Sequence, residues 1–537
     1  MKLKHILILL ALLLPAALLF AQSEGEVEDE TYQLKTEDID VVKPYIPTIA
    51  DAVKENMQPQ SEDIEYETKP LNYDLPNKLL ELPYKPPNLK PLAMKREKIK
   101  PPYTTYFKAG YGNLSTTLLE ARYSDGNIRK KYFYSAYYKH LASKGSLENQ
   151  AFDDNELGVH GKYYRKKTIL NGGISYKRNG LHFYGYDSDT SFTKSESRQT
   201  FSDLHTNFNV SNIPTKKKKA TYMIDLDHHY FTSKNGENEN MFDFTPSLNQ
   251  IFKSGNILHL QVETQLSNYS NTTSNNNSLV KFNQSYFFAK YGVKLGLNQT
   301  IENSNFYIFP DIGFEKELVP SYLILYNGWK RWADQTTYRK LALENPYVNT
   351  NLEIKNTIIE DRFVGIKGNL TSKISYNVKF SQKIIKDMPL YLNDSLDERK
   401  FNVIYDDATV INLRSEFTYG ISEKLRILAM AEYWGYEMEN VTQAFHLPSL
   451  RTTLSAEYHI AQNLYSSASI YAQDNVFYND SEKLKGFVDI NLALAYKFST
   501  NLSFFINLNN LAGTHYEKWR KYPSYGFNGL VGLTVTF

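Results

Sequence analysis

The chain has 537 residues, 14% of them aromatic, with 42 Tyr against 4 Trp, no Cys, and 61 basic against 59 acidic side chains. Without Cys there is no disulfide scaffold, thiolate metal site or Cys nucleophile, and a formal charge of +2 leaves no electrostatic footprint for nucleic acid. A mean hydropathy of -0.48 beside 42% apolar residues reads at first as several soluble domains, an expectation that the pattern along the chain replaces.

The first residues, MKLKHILILLALLLPAALLFAQ, place Lys2 and Lys4 before an uncharged apolar run from Ile6 to Ala21, which ends in a small residue ahead of Gln22. A basic head, an apolar stretch and a small residue at the end predict a secretory signal, residues 1–21, cut between Ala21 and Gln22. The run is shorter than the ~20 residues of a spanning helix, and acidic EGEVEDE follows it. No Cys stands at the cut to carry a lipid anchor. No later segment is long, apolar and uncharged enough for a helical span.

Residues 22–102 form a second region. Eleven of the 20 prolines fall between Pro44 and Pro102, while Gly25 is the only glycine between the cut and Gly110. Proline lacks a ladder donor and cannot continue a helix, so this stretch predicts an extended, Pro-rich arm. Thr48 to Asn56 (TIADAVKEN) sets Ile49, Ala52 and Val53 on one face of a short helix, too short to be stable without a partner surface.

From Tyr103 to Phe537 the grammar becomes alternation. Val488, Ile490, Leu492, Leu494, Tyr496 and Phe498 face one way, with Asp489, Asn491 and Lys497 opposite; Leu502 to Leu508 and Phe527 to Phe537 repeat the pattern. A soluble sandwich alternates as well, but ends after ~100 residues. Here the pattern runs for the rest of the chain with no helical interlude. Short turns such as RKKT (165–168), KSGN (253–256), AQNL (461–464) and STN (499–501) alternate with long polar loops, among them DSDTSFTKSESRQT, NYSNTTSNNNS and LNDSLDERK. Aromatic clusters, KYFYSAYYKH and QSYFFAKYG, suit membrane girdles. These features predict an all-β fold: a transmembrane antiparallel outer-membrane β-barrel of about 22 strands (range about 18–24), with both ends periplasmic. RNG at 178–180 reads as a bulge or an extended loop stem, and residues 278–301 as two strands by parity.

The closing segment NLNNLAGTHYEKWRKYPSYGFNGLVGLTVTF (Asn507 to Phe537) resembles the end of TonB-dependent outer-membrane receptors. It has an Asn-Leu strand end, a Tyr- and Trp-bearing loop, a Tyr-Pro then Gly step, and a last strand finishing in Phe. The resemblance implies that Phe537, with Val535 and Leu533, is a barrel-assembly signal read by the assembly machinery. Such receptors carry a Gly-rich plug of roughly a hundred residues, and 22–102 is shorter, Pro-rich and Gly-poor, which implies a plugless relative. EDIDVVKPYIPTIADAVKENMQP is similar to a segment of plugless Bacteroidetes outer-membrane proteins. Asp38, Ile39, Asp40, Val41 and Val42 resemble a TonB box. A different periplasmic contact through residues 36–60, or a plain tether, is the competing reading.

No GxSxG, HExxH or phosphate-cradling Gly loop is present. His228 and His229 are adjacent, so a strand sends them to opposite faces. Asp406-Asp407 marks a strand bend or rim. Asp187 and Asp189 lie in a long loop and offer oxygens for Ca²⁺, and KKKK at 216–219 falls on a periplasmic turn. Trp329, Trp332, Trp434 and Trp519 read as interfacial anchors. The expectation is a non-enzymatic barrel without cofactor or metal, in contact with the bilayer and lipopolysaccharide. It is an interaction or assembly component or an occluded pore. The alternatives are a TonB-dependent nutrient transporter using residues 38–42, and a barrel hydrolase with acid, His and nucleophile at one rim.

Overall fold

The computed structural model describes residues 103–537 except 126–129, 187–191, 214–219, 272–273 and 423. The signal cut at Ala21/Gln22, the Pro-rich arm with its expected helix and residues 38–42, Asp187, Asp189 and the lysines of 216–219 lie outside the described residues.

Twenty-two strands form the barrel. They are β1 Thr105–Gly112, β2 Thr117–Ser124, β3 Tyr132–Ser143, β4 Phe152–Arg165, β5 Thr168–His182, β6 Arg198–Asn212, β7 Ala220–Ser233, β8 Asn238–Ile251, β9 Ile257–Ser270, β10 Ser274–Phe288 and β11 Val293–Glu302. The remainder are β12 Asn305–Val319, β13 Leu323–Asp334, β14 Thr357–Thr371, β15 Ile374–Asn393, β16 Phe401–Ser422, β17 Leu425–Met438, β18 Leu450–Ala461, β19 Leu464–Gln473, β20 Phe487–Lys497, β21 Leu502–Asn509 and β22 Asn528–Thr536. Each pairs antiparallel with its neighbours in sequence, and β22 returns to β1 from Tyr106↔Thr536 to Gly112↔Leu530. At the seam Thr104 N donates to Phe537 O at 2.7 Å and Phe537 N to Thr105 O at 2.9 Å. The ring therefore has no open edge, as an all-strand structure in lipid requires. Residues 278–301 do divide, into β10 and β11, and 178–180 runs unbroken through β5, an extended stem without a bulge.

Alternation sorts the two faces. Val488, Phe504, Ile506 and Val531 stand outward and exposed, as do Leu260 and Leu266. The inward face is wet and charged: Lys139–Glu156 (3.3 Å), Lys379–Asp361 (3.0 Å), Lys367–Glu315 (2.8 Å) and Arg414–Glu432 (3.3 Å) pair across strands. Part-exposed pairs of this kind are worth little each; they keep charge off the lipid side and line a polar wall. Exposed Tyr132, Tyr134, Tyr163, Tyr222, Tyr496 and Phe498 cluster toward the short-turn rim, where amphipathic rings suit a headgroup level. On the lumen side Tyr326 lies flat over Gly365 of the facing strand, where a Cβ would stand 2.3 Å from the ring. Glycine here makes room for a cross-strand aromatic.

Several expectations need correction. NYSNTTSNNNS is no long loop: β9 carries on to Ser270 and β10 begins at Ser274, so most of the segment is strand. Above the lipid both faces are wet, so Asn, Ser and Thr can hold a ladder, as Asn268 does by donating to Asn276. The barrel also has helical interludes, α1 Lys194–Ser197 and α2 Tyr338–Glu344, each opened by a Thr cap, Thr193 or Thr337. Of the four tryptophans only Trp329 is exposed on the outer face; Trp332 and Trp434 fall inward by register and Trp519 is buried in a loop. Asp406 and Asp407 do sit at an irregularity. Asp407 accepts from the backbone N–H of Asp387 (2.8 Å, φ +53°) where the β15–β16 register shifts, and Asp406 accepts from the N–H groups of Asn440 and Val441.

Candidate functional site

Of two buried apolar clusters among the described residues, the smaller (Leu279, Phe309, Ala333 and Ile358) sits in the wall and the larger is built where strand ends meet loops. The larger lies at the long-loop rim, where connections from several strand pairs meet.

The β13–β14 connection, residues 335–356, supplies the centre. Its helix α2 has seven residues and is too short to hold by itself, so the wall holds it. Glu239 of β8, fully buried, accepts from the N–H groups of Tyr338 (3.1 Å) and Arg339 (2.8 Å), placing an acidic group at the positive end of the helix. Arg339 Nε donates to Asp203 of β6 at 2.7 Å. Asn277 of β10 and Asn356 exchange amide hydrogen bonds of 2.6 and 2.8 Å. Between these polar anchors the Tyr338 ring is fully buried against Phe231 (5.6 Å between centroids) and Tyr269 (4.8 Å).

The other half of the loop reaches a different wall. Asn349 N donates to Phe401 O (2.7 Å) and Phe401 N to Tyr347 O (3.0 Å), so residues 347–349 add a bridge to the start of β16. Tyr391 of β15 donates to Leu341 O at 3.3 Å. In a ring of 22 strands, β6 and β16 stand ten places apart, close to opposite. One loop thus spans the mouth.

Two further connections pack against this loop. Tyr347 stacks on Tyr522 of the β21–β22 connection at 3.4 Å, and Tyr184 of the β5–β6 connection meets Tyr522 edge-on at 4.9 Å. Tyr522 donates to Arg399 O (2.6 Å), Gln150 Nε2 to Pro523 O (3.0 Å), and Lys521 pairs with Glu398. Trp519 packs against Tyr391 (5.0 Å), Phe401 (5.5 Å) and His446 (5.1 Å). Aromatic pairs contribute about 0.5–1.5 kcal/mol each beyond their area, so the junction is a small hydrophobic core built entirely of loop and strand-end residues.

His446 is sealed beside Trp519. It is nine-tenths buried, its Nδ1 lies 3.0 Å from Tyr391 O, and its Nε2 has no partner. Burial disfavours the imidazolium and pulls its pKa from 6.5 to about 4.

Sequence-predicted sites fall as follows. Leu533 and Val535 lie in β22 and Phe537 ends the seam. His228 and His229 do face opposite ways; His229 stacks on His205 at 4.1 Å, each ring bonded to a carboxylate, Asp203 and Asp227 respectively. Among the described residues no group of three or more His, Asp or Glu is arranged to hold a metal. The mouth residues Tyr184, Glu239, Tyr347 and Tyr522 were missed, because Tyr signals girdles and junctions alike; Thr337 ahead of YRKLALE was a readable helix start.

No protein-family model matches the chain, and no curated protein does. Solved structures match the fold. The siderophore receptor PirA from Acinetobacter baumannii superposes with a TM-score of 0.64 at 10% identity, over 82% of this chain and 81% of that one. The ferric-catecholate import receptor Fiu from E. coli K12 gives 0.61 at 9%, over 82% of each chain. A mutant of the ferric enterobactin receptor PfeA from Pseudomonas aeruginosa gives 0.61 at 10%, over 81% and 80%. The fold is thus the 22-stranded β-barrel architecture that these receptor structures share over four-fifths of the chain.

Acid tests the junction. An unfolded or detached His446 takes a proton near pH 6.5 and the buried one near 4, so the stability it permits is complete above about 6.5 and is lost as pH falls toward 4, by about 3 kcal/mol at most. Protection factors around Trp519 and Tyr522, taken relative to the intrinsic exchange rate at each pH, are expected to fall over that interval, and the fall to shrink in His446→Phe; pH-independent protection in the wild type would contradict this.

Proposed function

We propose that the protein is a plugless outer-membrane barrel that works as an interaction or assembly component, with its lumen occluded at the long-loop mouth. The observation that carries this reading is the aromatic junction of Tyr184, Tyr347 and Tyr522, joined through α2 to nearly opposite walls. A ring of 22 strands encloses a wide lumen, and an unobstructed one would leak. Loops held by mutual packing and by Glu239 and Asp203 close it without a separate domain. The seam and the short turns share one rim, which suits a periplasmic side, with the loops outside. The arm at 22–102 then stands in the periplasm, and its Asp38–Val42 segment, with residues 36–60 around it, serves as a protein contact. Its proline content and scarcity of glycine support a tether over a plug fold. The solved neighbours are named as receptors for siderophores, which supports transport-type architecture and gives no catalytic group.

Single-channel recording in planar bilayers tests the occlusion. Full-length protein is expected to show little steady conductance, and a variant with residues 338–352 replaced by a short Gly-Ser linker a large one. A large steady conductance from the intact protein would overturn the reading.

A further inference from the structure

Outside the aromatic junction, four connections converge on a crevice of about 110 Å³ lined by Arg198, Lys234, Arg399 and Lys400 above Phe183 and Val348. That volume takes a group the size of a few waters. Among the described residues four cations face it against a single lining carboxylate, Glu196, and that carboxylate is engaged in capping α1, accepting from Thr193 N (2.9 Å) and Oγ1 (2.7 Å).

The cations are positioned rather than loose. Lys234 Nζ donates to two carbonyls, Ser195 O (2.6 Å) and Arg198 O (3.1 Å), and has no carboxylate within ion-pair distance among the described residues. Arg399 gives Nε and Nη2 to Asp397 at 2.7 and 2.9 Å and lies over the Phe192 ring at 3.8 Å, while its buried Nη1 has no hydrogen-bond partner. Lys400 shares Asp397 at 3.4 Å. Arg198 donates to Asp153, which Arg178 also contacts from the neighbouring strand. By register Arg198, Asp153 and Arg178 stand on the outer wall, above the exposed Leu157 and Ile174. A buried donor without a partner is costly, and the remaining guanidinium N–H with two lysines suits the oxygens of a tetrahedral anion.

We propose that this crevice binds a phosphoryl-type oxyanion, carried by a free phosphate compound or by a phosphorylated lipid headgroup of the surrounding leaflet. Arg399 Nη1 and Lys234 contact its oxygens and Lys400 adds charge. Arg198 connects the crevice to the lipid-facing wall, where Leu157 and Ile174 offer acyl chains a surface. The site shares the 347–350 segment with the loop packing proposed to occlude the lumen, but its assay reads phosphate binding and not conductance, so the two readings fail separately.

The test uses full-length protein in phosphatidylcholine nanodiscs, comparing wild type with Lys234→Gln/Lys400→Gln, and with Lys400→Gln alone where the double variant does not fold by heat-modifiable gel migration. One arm measures radiolabelled inorganic phosphate by equilibrium dialysis. The other dopes the discs with phosphatidic acid or diacylglycerol and measures the lipid retained on extraction by mass spectrometry. Saturable phosphate binding that weakens about tenfold or more in the variant supports a free source; selective retention of phosphatidic acid, lost in the variant, supports the lipid source. Absence of saturable binding and of selective retention, or binding unchanged in a folded variant, overturns the site.

Discussion

Everything in this molecule follows from a shortage of water around the wall. In hydrocarbon an unpaired N–H or C=O costs several kcal/mol, so the strand that begins at Thr105 must find the strand that ends at Thr536. It does so from Tyr106↔Thr536 to Gly112↔Leu530, with the Phe537 carbonyl accepting from Thr104. Closure by antiparallel hairpins forces an even strand number and brings both ends of the ring to one rim. It also forces each strand to divide its residues between lipid and lumen, which is why Val488 and Asp489 can be neighbours without conflict.

The same closure creates the second problem. A wide ring with a wet inner wall has little core, a small cluster of Leu279, Phe309, Ala333 and Ile358, and its cross-strand ion pairs, such as Lys379–Asp361, add little stability. The larger core is assembled where the wall leaves the membrane. The strands β15 and β16 run on past their neighbours, to 20 and 22 residues, and deliver Tyr391 and Phe401 to the junction. Opposite them β6 and β7 deliver Phe201 and Phe231. The loop 335–356 lies between, oriented by Glu239 and Asp203. Position and contact are thus separate devices: the wall fixes where the loops start, and the tyrosines decide that they meet.

Much of the wall was legible in the sequence. The period-2 pattern, the proline boundary near Pro102 and the terminal Phe537 were enough for fold class, strand number and inward and outward faces. What failed was anything that depends on contacts between distant loops. Tyr347 and Tyr522 are 175 positions apart, and nothing local distinguishes them from girdle tyrosines such as Tyr132. NYSNTTSNNNS misled because turn-forming residues were read as loop, although outside lipid a strand needs no apolar face. Trp519 misled for the related reason that aromatic anchors and aromatic cores share a composition. Thr337 and YRKLALE were a missed local signal, overruled by the surrounding strand pattern.

The central claim is that the loops close the mouth by packing on each other. The Cys-free chain allows spin labels at Leu343→Cys, on the exposed side of α2, and Lys518→Cys, beside Trp519, with no background thiol. Electron–electron distance measurements in native outer membranes should give one short, narrow distribution. A broad distribution, or one dominated by distances of the order of the barrel's width, would contradict the account.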